Sequence, residues 1–401
     1  LEQLPGAISF FRDDVPAAFT EVDDPALRAG FADSNAAVIA ALEDYQQWVR
    51  GDLLQRSHGD FRLGTKLFRR KLLVDEMVAT PLPKLLQIGM ADLRRNQQAF
   101  KRLAHELEPQ RSASEVLAQL AADHPDPARL LQAFRDGLDG LIGFLHEHPI
   151  ITIPAETRPI IEETPPFQRA TTFASMDTPG PFERVATEAY FNVTLPDPAW
   201  DAASTAGYMA QFNYPVISST IVHEAYPGHY IQYLWMNQLQ DRVRALLGAN
   251  SNAEGWAHYC EQMMLDEGFG QPGSGARDLR EARLLRLGQL QDALLRNARY
   301  IVAIKLHTGG MSLAEAGDFF VKEGFQSRQT GEMETKRAAG DPTYLYYTLG
   351  KLQILKLRAD LRRRQGAQFS LRAFHDDFMR QGFPPIGIVR RALLHDESPT
   401  L

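Results

Sequence analysis

The sequence has almost no cysteine: Cys260 is the single one among 401 residues. One thiol forms no intrachain disulfide and would leave a thiolate metal site three ligands short, so any metal must be held by His, Asp or Glu. No apolar run approaches the roughly 20 residues needed to cross a bilayer, and no membrane span is expected. The stretch from Leu1 to Asp14 has neither the basic nor the apolar region of a signal peptide. Because the chain starts at Leu1 instead of Met, an earlier segment could precede it, and one cysteine suits either side of a membrane. The compartment, cytoplasmic or exported, therefore stays open, as does the oligomeric state. Nor is there a block of like charge. The 43 Lys and Arg stand against 50 Asp and Glu, and the formal charge of −7 is spread along the chain, which gives no reason to expect nucleic acid as a partner. Gly-x-Ser-x-Gly is missing and Cys260 lies in an apolar helical stretch, so serine and cysteine nucleophiles are poor candidates.

What the sequence does have is helical periodicity. Over residues 1–149 apolar residues recur three and four apart. Ser34 followed by Asn35 can start the first long helix, Pro83 can occupy the first turn of the second, and Ser112 with Glu115 has capping-box spacing. Residues 150–215 are rich in Pro and Thr with short β-prone pieces such as Tyr190 to Thr194, which reads as a small β-sheet insert with long loops. Helical periodicity returns over 216–401. No internal repeat is present. The expectation is a mainly α, multi-helix fold with a small sheet beside an active-site cleft, the three stretches forming one catalytic unit.

The chemistry concentrates in His223-Glu224-Ala225-Tyr226-Pro227-Gly228-His229. A catalytic zinc takes three His or carboxylate ligands and keeps a fourth position for water, with a carboxylate nearby to accept a proton. The usual helical arrangement sets two His four residues apart with Glu after the first. Here the second His comes six residues on, roughly a third of a turn off the face on a regular helix. Pro227 and Gly228 supply the remedy, since both break regular helix geometry; two residues looped out would bring His229 beside His223. The plain alternative is that Tyr-Pro-Gly ends a helix and both histidines are ordinary polar residues. Further on, Ser251-Asn252-Ala253-Glu254-Gly255-Trp256-Ala257-His258-Tyr259-Cys260-Glu261 offers Glu254 as a third ligand. Ser251 and Glu254 also have capping-box spacing, and His258 and Glu261 on the same face are rivals or outer groups that orient a ligand. Spacing leaves that choice open.

With both motifs in view the sequence resembles the bacterial family catalogued as domain of unknown function 885, whose members carry His-Glu-Ala-x-Pro-Gly-His and then Glu-Gly-Trp-Ala. Weaker matches run through the chain: Thr164-Pro165-Pro166-Phe167, Tyr190-Phe191-Asn192, Arg299 with His307, Tyr347-Thr348-Leu349-Gly350-Lys351-Leu352, and Leu357-Arg358. The family looks like a distant branch of zinc metallopeptidases akin to thimet oligopeptidase and the thermostable carboxypeptidases. The resemblance implies one zinc ion held by His223, His229 and Glu254, with Glu224 as general base. Two departures stand out. His258 occupies a usually apolar position and would add a pH-sensitive group, and Ala303-Ile304-Lys305 replaces a usual Asp-Thr-Gly before His307.

The expected activity is hydrolysis of a peptide, of carboxypeptidase or oligopeptidase type. The alternatives are an amidase or esterase on a small non-peptide substrate, or an inactive metal-dependent binding protein; the base Glu224 argues against the last. Tyr347 or His307 could stabilise the oxyanion. Arg299 or Arg358 could grip a substrate carboxylate. The Tyr190 to Thr194 segment, with Tyr190 and Asn192, could pair with an extended peptide if it forms a sheet edge.

Overall fold

The computed structural model describes residues 1–169 and 172–401. The chain is mainly helical, as the periodicity predicts. Helix α1 spans Pro25–Trp48 and starts earlier than Ser34, because Asp24 accepts hydrogen bonds from the N–H groups of Ala26 and Leu27 while Pro25 fills the first turn. Helix α2, Leu82–Leu107, carries Pro83 in its first turn as expected. Ser112 and Glu115 form the expected capping box. Helix α3 covers Leu130–Glu147.

Among the described residues a three-stranded sheet follows, made of β1 (Ile160–Glu163), β2 (Ala174–Asp177) and β3 (Tyr190–Val193) in the order β1-β3-β2. Strands β2 and β3 are antiparallel, with Ala174 opposite Val193 and Asp177 opposite Tyr190. Tyr190–Val193 is therefore the central strand and not an edge, with its backbone groups committed to both neighbours.

The second half supplies α4 (Tyr214–Glu224), α5 (His229–Met236), α6 (Asn250–Asp266), α7 (Leu279–His307), α8 (Arg328–Gly340) and α9 (Tyr346–Gln365). The second half of α7 is buried on nearly every side, and Ala298 together with Tyr300 to Ile304 is fully so, which marks a central helix. It packs on α2 where Gly89 makes room; a Cβ there would fall 2.4 Å from the Tyr300 ring. Helices α6 and α9 cross at Gly255 and Gly350. A Cβ on Gly255 would lie 2.4 Å from the Gly350 Cα, and one on Gly350 would lie 1.8 Å from the Ser251 carbonyl oxygen. The glycines of Glu-Gly-Trp-Ala and of Thr-Leu-Gly-Lys thus serve one crossing, where two backbones touch.

The chain divides into two compact units that cut across the three sequence stretches. The first comprises residues 1–60, 161–177 and 190–195. Within it the Phe10 and Phe167 rings pack at 4.7 Å and Asn35 donates to the Phe11 carbonyl at 2.7 Å. The second comprises residues 61–160, 178–189 and 196–401, including every helix from α2 onward.

Candidate metal centre

Helix α4 ends at Glu224, and Ala225 turns away from helical geometry with φ −110° and ψ −84°. The chain passes through a cis Tyr226-Pro227 bond and Gly228, and α5 begins at His229. Gly228 has a spatial reason: a Cβ would lie 1.8 Å from the His223 carbonyl oxygen, so no side chain fits. The Trp256 indole on α6 donates to the Pro227 carbonyl at 2.8 Å and anchors the loop. The expected break at Pro227-Gly228 is present, and the rings of His223 and His229 meet at a centroid separation of 4.9 Å and an angle of 88°.

Glu254 completes the group. One of its carboxylate oxygens, Oε2, lies 3.3 Å from Nε2 of His223 and 3.3 Å from Nε2 of His229, and ligand atoms of all three residues lie within 4.8 Å of one another. A tetrahedral zinc with bonds of about 2.0–2.1 Å sets its ligand atoms about 3.4 Å apart, so the residues fit the ion. The capping alternative for Glu254 falls away. Ala249 holds the cap position of α6, and the N–H of Ser251 goes to the Glu76 carboxylate at 3.1 Å. Burial opposes a charge on His223, but hydrogen bonds to Glu254 and Glu261 outweigh it and lift the imidazole to about 9. A proton and a metal therefore compete for the same nitrogen.

Glu254 and Glu261 stand seven residues apart on one face of α6 and hold His223 by opposite nitrogens. Glu261 Oε1 takes the Nδ1 side at 2.7 Å, which leaves Nε2 directed at Glu254. Glu261 also accepts from His258 Nδ1 at 3.1 Å and pairs with Arg296 at 3.0 Å. Burial would raise its pKa, yet Arg296 and His258 hold it well below the usual carboxylate range. Glu261 and His258 lie outside the group of three: one orients His223 and the other braces Glu261. Burial and Lys351 push His258 down to about 3, so it stays neutral near pH 7 and is not the pH-sensitive group the sequence suggests. Arg296, also paired with Asp292 at 3.7 Å, escapes the sequence reading, because nothing in its spacing distinguishes it from the other arginines of α7.

Glu224 lies among the same charges. Burial raises its pKa, and His223 and His229 pull it partly back. Tyr347 is also brought to the centre, its ring 6.3 Å from that of His223 at 28°. Its oxygen accepts from Arg337 at 3.1 Å, and burial and Glu254 push the phenol up to about 12.

Several other expectations fail. His307 is buried away from this group; its Nε2 donates to the Ala338 carbonyl at 2.7 Å and its ring packs against Phe61 and Phe68. Arg299 is engaged by both oxygens of Glu334 at 2.6 and 2.7 Å, so it does not hold a substrate carboxylate. Arg358 is bound to Glu267 at 2.9 Å and to the Tyr259 hydroxyl at 3.1 Å. Tyr190 and Asn192 belong to the central strand of the first unit, and Asn192 donates to Asp177 at 2.8 Å; with no free edge there, peptide pairing loses its basis.

A family model for bacterial proteins of unknown function, DUF885, matches residues 1–393. The chain belongs to this family. Among solved structures, this DUF885 protein is similar to a candidate lipoprotein of unknown function from Shewanella oneidensis, with 25% identity and a TM-score of 0.77 over 98% of this chain and 71% of that one. A candidate lipoprotein from Colwellia psychrerythraea gives 18% identity and a TM-score of 0.80, covering 97% of this chain and 66% of that one. The chain thus spans about two thirds of these relatives. No curated protein matches the sequence. Among the described residues no helix is long and apolar enough to cross a membrane.

Proposed function

We propose that this DUF885 protein is a zinc-dependent hydrolase of the metallopeptidase type. The observation that carries the reading is the convergence of His223, His229 and Glu254 with Glu224 beside them. A site that only binds metal needs no adjacent base of raised pKa.

A bound zinc supplies Lewis acidity, polarising a carbonyl and lowering the pKa of a coordinated water toward about 7. Glu224 accepts the proton of the attacking water and passes it to the leaving amine; burial raises its affinity for that proton. Tyr347 keeps its own proton at neutral pH, and because its oxygen accepts from Arg337, that hydrogen is available to donate to the oxyanion of the attacked carbonyl. Glu261 holds His223 in the tautomer that presents Nε2. The Shewanella and Colwellia structures are both candidate lipoproteins, which supports export of this chain as well.

The test is Glu224→Gln. With metal content unchanged, peptide hydrolysis should fall by about 10²- to 10⁴-fold. Full activity in the zinc-loaded variant would overturn the reading.

A further inference from the structure

Three guanidinium groups contact the Tyr347 side chain, two over its ring and one at its hydroxyl, and they are not alike. Arg296 lies 5.8 Å from its centroid and is paired with Glu261 and Asp292. Arg299 lies 4.9 Å from it and commits Nε and Nη2 to Glu334. Arg337, near the end of α8, is exposed, gives one Nη2 hydrogen bond to the Tyr347 oxygen and lies 4.9 Å from the Tyr344 centroid. Among the described residues no carboxylate lies within ion-pair distance of it, and the charge of Glu334 acts on it only at longer range. Glu334 stands three residues earlier on α8, but its oxygens already accept two bonds from Arg299 and the hydroxyl of Tyr344.

We propose that Arg337 binds the free α-carboxylate of a peptide substrate and makes this protein a carboxypeptidase-type exopeptidase. The proposal rests on the hydrolase reading above. A guanidinium has five N–H donors in a planar fork suited to a carboxylate, and one hydrogen bond to Tyr347 leaves most of them available. Position agrees with chemistry. The carboxylate carbon of a C-terminal residue is three bonds from the scissile carbonyl carbon, at most about 4 Å away. A carboxylate site must therefore adjoin the reacting centre. The Tyr347 side chain is the link, with its ring against His223 and its hydroxyl on Arg337. Arg299 and Arg358 cannot take this role without giving up Glu334 or Glu267.

The experiment compares N-acetyl-Ala-Ala-Phe bearing a free carboxylate with the same peptide as its C-terminal amide. Turnover is measured with the zinc-loaded wild type, Arg337→Ala and Arg337→Lys. Binding is measured by calorimetry with Glu224→Gln alone and combined with Arg337→Ala. The wild type should favour the acid in kcat/KM by on the order of 10- to 100-fold. Arg337→Ala should bring that ratio near one, with Arg337→Lys between, and binding should show the same loss of preference. A wild type that treats acid and amide alike overturns the proposal. So does an Arg337→Ala variant in which both rates fall together at an unchanged ratio, since Arg337 would then only support Tyr347. If nothing is cleaved but Arg337-dependent preference for the acid persists in binding, the hydrolase reading fails and the carboxylate site stands. If cleavage and preference are both absent, both fail.

Discussion

His223 and His307 occupy the same local position, the last turn of a helix, and both are buried, at 5% and 1% exposure. Their surroundings separate them. The ring nitrogens of His223 lie between the carboxylates of Glu254 and Glu261, two turns apart on α6. At His307 only Nε2 is engaged, by the carbonyl of Ala338; among the described residues Nδ1 has no hydrogen-bond partner, and the ring faces Phe61 and Phe68. A carboxylate on Nδ1 makes the opposite nitrogen a better ligand, whereas a backbone carbonyl within an apolar core only satisfies a donor. Burial and helix position do not separate the two histidines; the partner of the second nitrogen does.

That contrast is broken or sharpened most strongly at His229. His229→Ala should abolish bound metal, from one zinc per chain to none by elemental analysis after dialysis, with helical circular dichroism retained. Stoichiometric metal in that variant would remove the ligand assignment. A smaller effect is expected at Glu261. Glu261→Gln keeps the shape of the side chain but removes its charge, and zinc affinity should weaken about 10- to 100-fold in a chelator competition; unchanged affinity would mean the contact to Nδ1 is idle. At His307 the effect on metal should vanish. His307→Ala leaves the Ala338 carbonyl without its donor and opens space between two rings, so stability should fall by about 1–3 kcal/mol in urea unfolding while zinc affinity stays unchanged. Loss of metal there would erase the distinction between the two sites.

How much of this is legible in the sequence depends on how local the cause is. Helices are legible because periodicity repeats every few residues, although Asp24 and Pro25 start α1 ahead of Ser34. The small sheet is legible as β-prone composition, but strand order is not, and the central place of Tyr190–Val193 follows from pairings between distant segments. The arginines are the least legible. Arg299 and Arg358 find carboxylates 35 and 91 positions away, while among the described residues Arg337 has none within ion-pair distance. No spacing rule encodes such partners.

The sequence by itself determined the two histidines, the carboxylate beside them and the break between them. All four lie within seven residues, where backbone geometry alone forces Pro-Gly to interrupt the helix. Spacing left Glu254, Glu261 and His258 open and the family resemblance favoured Glu254, but only the tertiary structure shows how Glu254 joins the histidines while Glu261 and His258 stand behind. All three lie on one face of α6, and the choice depends on where that helix, set by its glycine crossing with α9, brings each carboxylate against His223. A helix face specifies which residues point together; only packing specifies what they point at.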